Sequence, residues 1–230
     1  MLHGDGCLDM WTMVAAIATA TDHVALGPLV LNVTTRHPAH IATAAATVQA
    51  LSGGRLQLGL GAGASRPSPF AAEMDMFRLP QEGAPRRRER LIETIGFLRA
   101  LWAGARSFDG EWASFADVAA VSYPQPPCPI VVGANGPKMA AVAGAYAEGL
   151  NLHSWERDLA GLIGTAHDAV AARGGPSLTL SVECPWEPAW LDPASASRRV
   201  LTDLGVTEIV VRWSAAMGLD PIRRASGLLR

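Results

Sequence analysis

The sequence predicts an α/β fold that is built on a parallel sheet. Three observations carry this prediction: six short runs are rich in β-branched residues or leucine, helical stretches alternate strictly with them, and a helix comes first. Strict alternation of this kind is typical of parallel sheets. Two architectures remain open on the residues alone. One is an open doubly wound sheet, and the other is a (β/α)8 barrel that lacks its first strand, first helix and second strand.

The composition favours a well-packed protein without nucleic-acid, membrane or metal partners. Of the 230 residues, 49% are hydrophobic and 17% are charged, which supports a large core. A net charge of −2 gives no electrostatic footprint for nucleic acid. The three cysteines are far apart and lack metal-ligand spacing. Residues 1–12 lack the basic start of a signal peptide, and the apolar residues 13–20 are too few to span a bilayer. We therefore expect a cytoplasmic protein.

The chain begins with a predicted helix over residues 9–21. Trp11, Val14 and Ile17 recur at helical spacing there, and an aspartate at position 9 is a candidate N-cap. Residues 23–33 then form a run that is hydrophobic on both faces, as expected for a strand buried in a parallel sheet.

The next unit is a helix followed by a strand and a long loop. The helix is predicted over residues 38–51 and ends at Gly53-Gly54, which can serve as a C-cap pair. The strand is predicted over residues 55–61. Residues 64–85 contain four prolines and form a long loop, and loops of this length in a compact fold are usually functional.

The remaining elements continue the alternation. Residues 86–103 are the clearest helix, with an apolar stripe through Leu91, Ile95, Leu98 and Trp102. Residues 108–123 are expected to be an irregular insertion with two short strands. The later strands are predicted over residues 129–133, 149–153, 178–184 and 206–213, and the later helices over residues 137–147, 157–173, 193–204 and 221–229.

Several segments of the chain resemble the luciferase-like flavin and deazaflavin oxidoreductases. They are Arg36-His37-Pro38, Ser52-Gly53-Gly54-Arg55, residues 58–63, Ala100-Leu101-Trp102 with Phe108-Asp109-Gly110, residues 129–138, and Tyr146-Ala147-Glu148-Gly149. Their order and spacing across residues 8–155 make the resemblance specific. It implies a TIM-type (β/α)8 barrel that binds its cofactor at the carboxyl ends of the strands. One domain would cover residues 1–230, with an active-site loop at 64–85 and an insertion at 107–127.

The chain departs from the family pattern at its start. Family members carry roughly 40 more residues before the segment that corresponds to residues 6–12, which is about one strand–helix–strand unit. An Asp-His or similar pair after the second family strand is absent unless His3 and Asp5 are its remnant. We therefore expect a barrel truncated to about six β/α units, from a truncated gene model or a fragment.

The resemblance places cofactor contacts on three loops. The first would hold a non-proline cis peptide near Leu29-Val30. The second is glycine-rich and imitates a dinucleotide fingerprint, but prolines follow it where a helix should begin. The third feeds a helix N-terminus that favours a phosphate. The predicted cofactor-binding residues are Leu29, Val30, Asn32, Gly61, Ala62, Gly63, Ser65, Gly133, Ala134, Asn135, Gly136 and Lys138. A structural turn at the second loop and a surface role for Lys138 stay open.

Polar side chains at the carboxyl ends of barrel strands are the candidate catalytic groups. His153 is the first candidate for a general acid or base, with His3 and Glu183 behind it. A structural role for His153, and a plain salt bridge between Glu183 and Arg212, are the alternatives.

The resemblance implies an oxidoreductase, most like the branch that uses coenzyme F420 for hydride transfer to or from a small organic substrate. A reduced-FMN monooxygenase that uses molecular oxygen is the alternative within the family. A non-catalytic remnant that binds cofactor or forms oligomers is the alternative from another class. We also expect an apolar substrate and a homodimer.

Overall fold

The structure, a computed structural model, describes residues 9–64, 68, 71–118 and 123–223. The chain forms two compact units, residues 1–131 and 132–230. The helices are α1 (Met10–Ala20), α2 (Pro38–Leu51), α3 (Ala72–Met76), α4 (Ala84–Trp102), α5 (Pro137–Tyr146), α6 (Leu159–Arg173) and α7 (Ala196–Asp203). The strands are β1 (Leu31–Asn32), β2 (Leu58–Gly61), β3 (Ile130–Gly133), β4 (Gly149–His153), β5 (Thr179–Pro185) and β6 (Glu208–Arg212).

In the first unit, β1 and β2 are parallel neighbours. Leu31 lies opposite Leu60, and the backbone N–H of Leu58 donates to Pro129 just before β3. The strand predicted over residues 23–33 is therefore too long. Only an isolated bridge from Leu26 to Leu56 precedes β1, because Pro28 has no N–H to donate to a ladder.

The core of the first unit is built from the apolar faces of α2 and α4 against β2. Its fully buried side chains include Ile41, Leu58, Leu60, Leu91, Ile95, Phe97 and Leu98. The predicted apolar stripe of α4 is thus buried at Leu91, Ile95 and Leu98, whereas Trp102 stays half-exposed.

The insertion is held to α4 by aromatic and polar contacts. The ring of Phe97 meets those of Phe108 and Phe115 edge-on at 5.6 and 5.1 Å. The Glu93 carboxylate accepts hydrogen bonds from three consecutive backbone N–H groups, those of residues 111–113, at 2.7–3.0 Å. Among the described residues of this segment, 108–118 and 123, a bridge between Phe108 and Phe115 forms instead of the two short strands that the sequence predicts.

The Ser52-Gly53-Gly54-Arg55 segment has a structural role. The guanidinium of Arg55 donates to four backbone carbonyls, those of Ala18, Thr21, Val24 and Ser52, at 2.5–2.8 Å. Two of these acceptors belong to the last turn and C-cap of α1, where a helix leaves carbonyls unsatisfied. One side chain therefore ties the end of α1 to the turn before β2.

The second unit contains the parallel strands β4, β5 and β6. Leu152 lies opposite Val182, and Val182 lies opposite Ile209. Helices α5 and α6 pack closely because Gly144 has no side chain, and a Cβ there would lie 2.2 Å from the carbonyl oxygen of Ala166. The core includes Leu150, Leu152, Val182 and Ala166.

Several predicted bounds shift because polar side chains cap the helices. Helix α6 begins at Leu159 instead of residue 157, since Asp158 accepts from the N–H of Gly161. Helix α7 begins at Ala196 instead of residue 193, since Ser195 accepts from the N–H of Arg198. The predicted loop over 64–85 contains α3, and most of the last predicted helix lies outside the described residues.

Within the described part of the chain, none of the helices combines the length and the apolar character that a membrane crossing requires. The described residues also contain no group of three or more His, Cys, Asp or Glu residues that could hold a metal ion.

Replacing Arg55 by Lys should destabilise the first unit. An ammonium group cannot reach four carbonyls in different directions. The free energy of unfolding, measured with urea, should therefore fall by about 2–3 kcal/mol. The matched control is Arg106→Lys, at an exposed position in the same unit, which should change stability little. Equal effects of the two substitutions would contradict the structural role of Arg55.

Candidate cofactor and catalytic sites

The first candidate cofactor loop carries the cis peptide that the resemblance implies. The bond between Leu29 and Val30 is cis, and neither residue is a proline. Leu29 is half-buried, and the side chain of Val30 is exposed. The position of the cis bond is therefore confirmed, while contact of these two residues with a cofactor stays a prediction.

The glycines of β2 make room for this loop. A Cβ at Gly59 would lie 2.1 Å from the carbonyl oxygen of Pro28, and one at Gly61 would lie 2.5 Å from a methyl group of Val30. Gly63 has φ +77°, and its Cβ would lie 2.8 Å from Oδ1 of Asn32. The chain itself thus fills the space beside these glycines, which explains the glycine pattern without any ligand.

Asn32 connects the first loop to α3. Its Oδ1 accepts from the N–H of Thr34 at 3.0 Å and from the Thr34 hydroxyl at 2.7 Å. Its Nδ2 donates to the sulfur of Met74 at 3.4 Å. The amide is thus engaged within the chain, and its predicted cofactor contact is not tested. Met74 had no signal in the sequence, because a lone methionine in a loop is compatible with any surroundings. Ala62 is half-buried, and Ser65 lies outside the described residues.

Alanine substitutions at Gly59 and Gly61 should distinguish a clash with a backbone carbonyl from a clash with a side-chain methyl group. Gly59→Ala forces a backbone carbonyl to move, so the free energy of unfolding should fall by about 3 kcal/mol. Gly61→Ala meets only a methyl group and should cost less. Gly96→Ala, in α4, is the control, since its Cβ would make ordinary contacts of 3.6–3.7 Å with Phe108. A Gly59→Ala variant as stable as the control would contradict this packing.

In the second unit, the loop after β3 leads into the N-terminus of α5. Ala134 is buried and donates its N–H to the carbonyl of Asn151 at 2.9 Å. Asn135 and Lys138 are exposed. Gly136 is the N-cap, with φ +148°, and it has no side chain to accept from the first N–H groups of α5. By contrast, the Asp158 carboxylate already caps α6. The start of α5 therefore fits an anion better than the start of α6 does.

An open cleft of about 600 Å³ lies at these two helix starts. It is lined by Gly136, Pro137, Trp155, Glu156, Arg157, Asp158, Gly161, Leu162 and Thr165. Its α6 side carries charges of both signs, from Glu156, Arg157 and Asp158, whereas its α5 side has small residues. The cleft can thus take a group with a phosphate on its α5 side.

Four side chains of the second unit form one cluster at the carboxyl ends of β4, β5 and β6. His153 Nδ1 lies 3.3 Å from Oε2 of Glu183, and Arg212 Nε lies 2.5 Å from Oε1 of the same carboxylate. The imidazole of His153 stacks on the indole of Trp155, with centroids 4.3 Å apart and planes 9° from parallel. The guanidinium carbon of Arg212 lies 5.1 Å from the Trp155 ring centroid. We call these residues the four-residue cluster.

The strand register brings the cluster together. His153 lies directly opposite Glu183, and Arg212 lies opposite Pro185, two residues beyond Glu183. Residues two apart share one face of a sheet, so Arg212 and Glu183 project to the same side. The predicted salt bridge between Glu183 and Arg212 is therefore present, and His153 joins it. The third predicted catalytic residue, His3, lies outside the described residues.

The Glu183 carboxylate is ionised in this cluster. Only 5% of the residue is exposed, and burial raises the pKa of its carboxyl group. The close contact with His153 and the hydrogen bond and charge of Arg212 outweigh burial and hold the pKa of the carboxyl group below its ordinary value of 4.5. Burial next to this carboxylate also raises the pKa of the Cys184 thiol, so Cys184 is protonated at neutral pH.

Comparisons with solved structures identify the class of fold. The chain matches a type II Baeyer–Villiger monooxygenase component from Pseudomonas putida, solved with FMN, with a TM-score of 0.71 and 14% identity over 96% of this chain and 81% of that one. It matches an F420-dependent secondary alcohol dehydrogenase with a TM-score of 0.69 and 16% identity, over 96% of this chain and 76% of that one. The fold is therefore of the (β/α)-barrel type of these oxidoreductases, with six parallel strands in the described residues.

Sequence comparisons identify the family. Residues 2–199 match the model of the luciferase-like monooxygenases, and the chain belongs to that family. It is 37% identical over 139 residues to the F420-dependent glucose-6-phosphate dehydrogenase of Beutenbergia cavernae. It is 38% identical over 141 residues to the F420-dependent hydroxymycolic acid dehydrogenase of Mycobacterium tuberculosis. These matches cover 59% and 60% of this chain but only 39% and 38% of those proteins.

Proposed function

We propose that the protein is an oxidoreductase that uses the deazaflavin coenzyme F420 and acts on a small organic substrate. Family membership and two relatives named as F420-dependent dehydrogenases support the proposal. The observation that carries it is the contact between His153 and the ionised Glu183 at the carboxyl ends of neighbouring parallel strands, the place where such folds hold their chemistry.

In this proposal the bound coenzyme supplies a ring that accepts or donates a hydride. The protein supplies a proton site. The Glu183 carboxylate can only accept hydrogen bonds, so it favours a proton on Nδ1 of His153 and leaves Nε2 as the nitrogen that exchanges a proton with a substrate. His153 is then the general acid or base, and Glu183 orients it without being the acid itself.

The phosphate-bearing part of the coenzyme is assigned to Gly133, Ala134, Asn135, Gly136 and Lys138. The uncapped start of α5, the small residues before it and the exposed ammonium of Lys138 support this assignment. The cofactor contacts predicted for Leu29, Val30, Asn32, Gly61, Ala62 and Gly63, and the contact with the cofactor's tail predicted for Ser65, stay predictions.

Reduced FMN with molecular oxygen is the second candidate. The likeness to an FMN-bound monooxygenase component favours it, although at 14% identity that likeness concerns the fold alone. FMN also carries a phosphate, so the loop before α5 does not discriminate between the two cofactors. A protein that binds neither would be the non-catalytic remnant. A homodimer, an apolar substrate and a cytoplasmic location stay proposals of the same rank.

The cofactor can be identified by binding alone. The protein is titrated into F420 and, separately, into FMN, and the fluorescence of each cofactor is measured. We expect F420 fluorescence to be quenched at a lower protein concentration than FMN fluorescence. Tight binding of FMN without F420 would favour the monooxygenase. Binding of neither would contradict both enzymatic proposals.

Lys138 offers a local readout, because it is the only lysine in the sequence. Bound F420 should protect Lys138 from acetylation, as measured by mass spectrometry, and Lys138→Ala should weaken F420 binding by about tenfold, which is about 1.4 kcal/mol. A deazaflavin without the phosphate should give no protection. The matched control is Arg157→Ala, which removes a charge from the α6 side of the cleft and should weaken binding less. Unchanged F420 affinity in Lys138→Ala would contradict the phosphate assignment.

A further inference from the structure

The four-residue cluster is a closed cycle of contacts. His153 touches Trp155 and Glu183, Glu183 touches Arg212, and Arg212 returns to Trp155. Each member therefore has two neighbours within the cycle. Family membership does not predict such a cycle, and neither Trp155 nor Arg212 has a role in the function proposed above.

One member of the cycle, Trp155, fixes the plane of the His153 imidazole. The rings of His153 and Trp155 are 9° from parallel and 4.3 Å apart, so the indole restricts rotation of the imidazole about χ2. The side chain of His153 is only 15% exposed, which leaves it little room to turn. Trp155 itself is 47% exposed and lines the open cleft.

The other two members fix the proton. The carboxylate that faces Nδ1 is an acceptor, so the proton of a neutral imidazole belongs on Nδ1. Arg212 holds that carboxylate through Nε, and its own Nη2 is buried with no hydrogen-bond partner among the described residues. The Arg212 side chain is 34% exposed as a whole, and its guanidinium is held between the Glu183 carboxylate and the face of Trp155.

We propose that Trp155 and Arg212 are positioning residues that hold His153 in one plane and one tautomer, with the proton on Nδ1. Trp155 acts on the imidazole by stacking. Arg212 acts through Glu183, whose carboxylate it holds in place and keeps ionised. Insofar as this positioning serves catalysis, it rests on the proposed role of His153 as acid or base.

The tautomer can be measured without cofactor or substrate. In protein labelled with ¹⁵N-histidine, the imidazole signals of His153 can be assigned by comparison with His153→Gln. At a pH where the ring is neutral, the wild-type shifts should identify the Nδ1–H form. The carbon-bound ring protons should also show the upfield shift that a stacked indole produces.

Four variants separate the effect of Arg212 and Glu183 on the tautomer from the effect of Trp155 on the ring plane. Arg212→Gln and Glu183→Gln should shift His153 towards a mixture of tautomers, while the ring-current shift persists. Trp155→Leu should abolish the ring-current shift, and Trp155→Phe should restore most of it. The controls are Arg199→Gln and Trp213→Leu, at exposed positions in the same unit, which should change neither signal. Amide spectra establish that each variant is folded.

The wild-type spectrum alone can overturn the proposal. A His153 imidazole in the Nε2–H form, or one without a ring-current shift, would contradict it even if no variant folds. Unchanged tautomers in Arg212→Gln and Glu183→Gln would contradict the part that concerns Arg212.

Turnover measurements distinguish this proposal from the proposed function. If F420 supports turnover, Arg212→Gln and Trp155→Leu should lower kcat by about ten- to a hundredfold with little change in KM. A raised KM with an unchanged kcat would contradict a positioning role for Trp155 and Arg212. If F420 does not bind, the proposed function fails, while the tautomer measurement still decides whether Trp155 and Arg212 position His153.

Discussion

Glu183 carries a negative charge at a site where only 5% of the residue meets solvent. An unpaired buried carboxylate would instead take up a proton, because burial disfavours the charged form. Two donors on either side, His153 from β4 and Arg212 from β6, keep it ionised. The candidate catalytic site of the second unit depends on this one charge, since it fixes the orientation of His153 and compensates the buried part of Arg212.

The consequences of this constraint reach through β4, β5 and β6. The contact between His153 and Glu183 depends on the strand register that sets these two residues opposite each other. Loss of the carboxylate would remove the counter-charge of the Arg212 guanidinium, whose Nη2 is buried while its side chain as a whole is 34% exposed. The first unit is constrained differently. There the close approach of residues 28–32 to β2 excludes side chains at Gly59 and Gly61, so backbone packing decides the sequence.

Local features were predictable from the sequence, and long-range contacts were not. The bounds of α2 and β4 and the N-cap at position 9 follow from nearby residues and agree with the structure. The predicted strand that ends in β1 was too long, because a hydrophobic pattern does not show that Pro28 lacks an N–H group. The glycines of β2 suggested a flat ligand, whereas Pro28 and Val30 fill the space. The role of Arg55 and the Met74 contact depend on partners 31 or more residues away, which periodicity does not reveal.

The ionisation state of Glu183 is the most direct test of the account. A ¹³C NMR titration of its carboxyl carbon, assigned by comparison with Glu183→Gln, should place the pKa below the ordinary value of 4.5. Because the pKa of Glu183 is lower in the folded state, the interactions of its carboxylate stabilise the fold at pH values above the unfolded-state pKa. This stabilisation is lost as the pH falls through the folded-state pKa. We predict that more than half of the Glu183 carboxyl groups are still ionised at pH 4.5. A carboxyl group that takes up its proton above that value would contradict it.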